Sequence, residues 1–161
     1  MTSRSRRRAS AALAGAVAVL TAAGCGGGRP APKPAAPAAV DRQVRQVFRA
    51  YTDAVAARDF RTACSHLAPV SIVQMRRDAA KYISSPPHDC AALFSFLNST
   101  ATKKEAVRIA EVTRTARVRR VVMGADGPVI QWTATVDGKR VPVSQSVRRV
   151  GATYKLVSVT R

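Results

Sequence analysis

The spacing of apolar residues changes period once along this chain, and that change limits the folds open to it. Val40, Val44, Val47, Phe48, Tyr51, Ala54 and Val55 fall on one helical stripe, with Arg42, Gln46, Arg49 and Asp53 opposite and Asp41 near its start. Beyond Glu105 the apolar residues alternate instead, most cleanly at Ile130, Trp132, Ala134 and Val136. Helices come first and strands after. The order predicts an α+β domain in which the helices cover a mainly antiparallel sheet.

Further helices follow the first. Asp59 is placed to cap a short one whose Phe60, Cys64 and Leu67 share a face. "SIVQ", residues 71–74, has capping-box spacing and predicts a third helix carrying Ile72, Met75, Ala79, Tyr82 and Ile83. "SSPP" ends it, and Cys90, Leu93, Phe94 and Leu97 make a fourth stripe, with Asn98-Ser99-Thr100 read as the loop after it. In the second half Val107 and Ile109 alternate, then Val112, Ala116 and Val118 take the opposite phase, which predicts strand structure with a bulge or a short turn around residues 113–115. "GADGP" is a loop, Asp137-Gly138 a tight hairpin into Val141, Val143, Gln145 and Val147, and "TYKLVSV" the closing strand.

What precedes this domain cannot build a core. Arg4, Arg6, Arg7 and Arg8 stand before an uncharged run, residues 11–23, which is the pattern of a signal peptide over residues 1–24. That run is shorter than the roughly 20 residues needed to cross a bilayer core. Residues 26–39 contain four prolines, three glycines and no acid, so 25–39 reads as a tether and 40–161 as one domain.

Charge bears on the partner. Without the four leader arginines, 23 of the 27 basic residues remain against nine acids, a net charge of +14. A solvated Arg-rich surface is the plain explanation, and a footprint for a polyanion is the other. Alternation sets Arg117 and Arg119 opposite Val118, and Arg140 and Arg148 opposite Val141 and Val147, so these four form a candidate basic patch. Aromatic residues make up 5% of the chain, too few for base-stacking platforms, which argues against nucleic acid. Anionic lipid headgroups or wall polymers fit the charge better.

Three cysteines become a pair once Cys25, at the tether, is set aside. In an exported chain Cys64 and Cys90 suggest one disulfide, with buried free thiols as the alternative. A metal site is disfavoured, because two cysteines with only His66 and His88 nearby lack zinc-ligand spacing.

Two resemblances follow from these residues. "TAAGC", ending at Cys25, resembles the lipobox of bacterial lipoproteins, although Ala22 stands where leucine is commonest. It implies a diacylglyceryl group on Cys25 and attachment to the outer side of the cell membrane. "FRAYTDAVAARDFRTACSHLAP" and "VRRVGATYKLVSV" resemble the first helices and terminal strand pair of NTF2-like, or SnoaL-like, domains of high-GC Gram-positive envelope lipoproteins. That likeness implies a cone of three to four helices on a curved sheet, and a Cys64–Cys90 pair. It also implies a pocket between helices and sheet, lined by Tyr51, Ile130, Trp132, Val143 and Gln145. The family's enzymes place acids or histidines in that pocket, whereas the inward strand residues here carry none. Asp59 and Asp89 are explained as helix-start residues. No catalytic residue and no cofactor is nominated. The expected function is a non-enzymatic binding or accessory module with an apolar pocket, for a small molecule or an envelope protein. A basic module for anionic headgroups or polymers is the second reading, and a SnoaL-type enzyme the third.

Overall fold

Helix α1, Ala38–Ala56, lies across the domain and buries Val44, Phe48 and Ala54, three members of the stripe read from the sequence. The computed structural model describes residues 33–157, so the leader and Cys25 lie outside the described residues. Four shorter helices follow: α2 Phe60–Ser65, α3 Pro69–Ala79, α4 Cys90–Thr100 and α5 Lys103–Thr115. The strands β1 Arg117–Gly124, β2 Gly127–Val136, β3 Lys139–Val150 and β4 Thr153–Leu156 then form an antiparallel meander in the order β1-β2-β3-β4. Among the described residues the architecture is therefore α+β, five helices packed against a four-stranded antiparallel sheet.

Local chemistry explains most of these boundaries. The carboxylates of Asp59 and Asp89 accept the backbone N–H groups of Thr62 and Ala92, capping α2 and α4 as the sequence suggested. Asp137 and Gly138 both have positive φ, 50° and 75°, the conformation a two-residue hairpin between twisted strands requires. Arg58 also takes a left-handed φ of 58°, and its N–H and that of Asp59 close α1 on the carbonyls of Val55 and Ala54.

Four local expectations are corrected. Residues 103–115 are a helix, not a strand, and the irregularity expected at 113–115 falls instead between Val118 and Arg120 of β1. The cause is a capping box: Thr102 Oγ1 accepts the N–H of Glu105, while Glu105 Oε2 accepts the N–H of Thr102. Ser71 does not cap α3, which starts at Pro69; its hydroxyl is buried and donates to the carbonyl of Leu156. Residues 98–100 are the last turn of α4 rather than a loop. The helix begins at Ala38, and before it Pro34 and Ala36 hydrogen-bond to Met123 and Val121, so the end of the tether is a short strap on β1.

The core sits between α1 and the sheet, where Val44 and Phe48 meet Val121, Ile130, Val147 and Leu156. The Phe48 and Trp132 rings stand 5.3 Å apart at 50°. At the other margin β4 lies between β3 and residues 66–68: Leu156 donates to the carbonyl of His66 and accepts from Ala68. Cys64 and Cys90 form a disulfide that ties α2 to the start of α4. The described part belongs to one compact unit, Pro32–Arg161, that carries its own core. Among the described residues no helix is long and apolar enough to cross a membrane.

Candidate functional site

Of the five residues expected to line an interior pocket, Tyr51, Ile130, Trp132 and Gln145 are buried or pack against the core, and Val143 is half-buried opposite Trp132. Ile130 is fully buried, and Tyr51 and Trp132 pack against the same cluster. The Gln145 side-chain amide, 7% exposed, donates to the carbonyl of Val157 at 2.9 Å. Burial of the Tyr51 ring, by removing water from its hydroxyl, pushes its pKa up to about 12. Neither of the two clefts described next touches any of these five side chains.

Both clefts lie on the helical layer and draw lining residues from α4 and from α5, which the two-residue link Ala101-Thr102 joins. One, of about 360 Å³, is formed by Ala79, Tyr82, Ile83, Phe96, Leu97 and Ile109, with Glu105 and Arg108 at its edge. The other, of about 310 Å³, is formed by Val55, Phe60, Phe94, Leu97, Ala106 and Ile109, with Arg58 and Arg114 at its edge. Leu97 and Ile109 belong to both, so they form a shared ridge, and they remain 37% and 44% exposed. Tyr82 stands out at 87% exposure. The sequence reading missed this surface because it placed Val107 and Ile109 in a strand. The available signal was "TKKE" at residues 102–105, which has the capping-box pattern.

The sheet carries a different chemistry on its outer side. β1 pairs Arg117 with Thr133 and Arg120 with Gln131, and β3 pairs Arg140 with Thr135. Directly paired residues point to the same face, so Arg117, Arg120 and Arg140 share the side away from Ile130 and the core. Arg148, opposite Lys155 and next to the buried Val147, is on that side too. The register skips Arg119, which is the extra residue of the bulge. Arg120 therefore takes the place expected of Arg119 and donates to Gln131 Oε1 at 2.6 Å. Arg117 caps the end of α5 by donating to the carbonyls of Arg114 and Ala116.

All nine acids of the chain lie on helices, caps or turns, and the four strands contain none. Three ion pairs form among the described residues, Asp41–Arg45, Asp78–Lys81 and Asp137–Arg108, and no strand arginine takes part. Lys155 is engaged by the carbonyl of Ser65.

The remaining candidates for chemistry are dispersed. His66 closes α2, and desolvation, then the nearby Lys155 charge, hold its pKa below the usual imidazole value. His88 Nδ1 lies 2.8 Å from Arg76 Nη1. Asp137 serves the Arg108 pair, and its N–H donates to Glu111. Among the described residues no three His, Cys, Asp or Glu side chains gather as a metal site would need. Comparison with family models, with curated proteins and with solved structures finds no match for this chain.

Proposed function

We propose that this chain is a lipoprotein of the cell envelope, anchored through Cys25, whose α+β domain is a non-enzymatic binding module. Its ligand site is the apolar surface between α4 and α5. The observation that carries this reading is the exposed ridge of Leu97 and Ile109 between two clefts of apolar lining. Exposed apolar side chains gathered around a concavity are a mark of a ligand or partner site. The clefts are open grooves, which suits an apolar segment of an envelope protein or an extended small molecule. In this proposal the domain is a variant of the NTF2-like cone, supported by the helices-then-meander order and by α1 packing on the sheet.

An environment-sensitive apolar dye tests the site. Ile109→Glu and Leu97→Glu are expected to weaken dye binding roughly tenfold or more, at an unchanged melting temperature, because both side chains already face solvent. Dye affinity unaltered by both substitutions would reject the cleft. The anchor is tested by intact mass of the membrane-extracted protein, expected to start at Cys25 with a diacylglyceryl adduct.

A further inference from the structure

We infer that the arginine-bearing outer face of the sheet rests on the anionic headgroups of the bilayer that holds the anchor, turning the α4/α5 cleft away from the membrane. This rests on the lipid at Cys25. Three observations carry it. The face presents Arg117, Arg120, Arg140 and Arg148 with no acid on any strand, so no internal carboxylate competes for them. The helices pack on the opposite face of the sheet, and the clefts open on them.

The third observation is the strap. Because Pro34 and Ala36 are hydrogen-bonded to β1, Pro34 is fixed to the domain only nine positions after Cys25, a length of chain that can span at most about 30 Å. The chain enters the domain beside Met123, three residues along β1 from Arg120. The domain therefore cannot drift far from the headgroups, and the end of the sheet that reaches them first belongs to the strand whose Arg117 and Arg120 face outward. Confinement at this range raises the local concentration of lipid so far that weak ionic contacts suffice to orient the domain. A polymer deeper in the wall gains nothing from the same leash, so the charge complementarity favours the bilayer.

The test uses the unlipidated chain from Gly26 onward, which holds the whole core, sedimented with vesicles of phosphatidylcholine alone or with about a third phosphatidylglycerol. Binding is expected only to the anionic vesicles and is expected to fall steeply as salt rises. The triple variant Arg117→Gln, Arg120→Gln, Arg148→Gln should lose at least about tenfold in partitioning, at roughly a few-fold to tenfold per charge. A matched variant that neutralises Arg42, Arg49 and Arg77, exposed residues of α1 and α3, should keep most of it although its net charge is identical.

Equal loss in both variants would overturn the inference, since net charge alone would then act. So would binding to neutral vesicles, or preference for a soluble anionic wall polysaccharide over vesicles. Failure of these arms while the extracted protein carries its lipid sinks the orientation and leaves the anchor standing. An extracted protein without lipid sinks the inference through its leash.

Discussion

Tyr51 shows how one residue reports on the packing above the sheet. Its hydroxyl is neutral when protonated, and burial favours that form in the folded state, so the folded pKa of about 12 exceeds the ordinary 10.0. The native state then holds more protons than the unfolded state across this window. Stability is expected to be complete below pH 10 and to decline by on the order of 2 kcal/mol as pH rises toward 12. Melting temperature against pH will show this slope, and Tyr51→Phe is expected to flatten it. His66 behaves in the opposite sense: its lowered pKa favours the neutral ring, so its contribution is present above the ordinary imidazole value and is lost as pH falls below it.

At the scale of elements, α5 carries the largest gap between sequence and structure. Val107 and Ile109, two apart, imitate strand alternation, yet both are exposed, at 68% and 44%, on a helix set by its first turn. Thr102→Ala is expected to cost about 1 kcal/mol and to speed amide exchange in the first turn of α5, while Thr102→Ser should preserve both. Urea unfolding and hydrogen exchange measure the two effects. Where the apolar period ran over several turns, as in α1, or met a strict turn requirement, as at Asp137-Gly138, the elements were legible in advance. The caps at Asp59 and Asp89 were legible for the same local reason. What could not be read was a choice made by tertiary contact. Ser71 has the spacing of a cap but is drawn instead to Leu156, 85 positions away. The bulge in β1, which puts Arg120 where Arg119 was expected, depends on its pairing with β2. Of the four arginines expected on one side of the sheet, Arg119 is thus replaced by its neighbour Arg120. How closely Phe48 and Trp132 approach between α1 and the sheet is a matter of side-chain volume that patterning does not register.

For the whole molecule the Cys64–Cys90 bridge is the one covalent tie within the helical layer among the described residues. It closes a segment with a sequence separation of 26, worth about 3.5 kcal/mol on chain-entropy grounds. Reduction, or the pair Cys64→Ala with Cys90→Ala, is expected to lower the melting temperature by on the order of 10–15 °C. A thermal scan with and without reductant measures it. Because the bridge joins α2 to α4, and Phe60 stacks on Phe94 at 5.5 Å between the same helices, its loss should loosen the second cleft before the sheet.

The strap at Pro34–Ala36 and the bridge from Leu67 to Leu156 sit at opposite margins of the sheet. Each occupies a stretch of backbone donors and acceptors that a lone edge strand would hold out to any passing chain. Among the described residues this cover reaches Val121 and Met123 on β1 and Leu156 on β4, so at those positions another strand cannot add to the sheet without displacing it. The way the chain enters its own fold thus guards part of an edge that patterning alone would leave exposed.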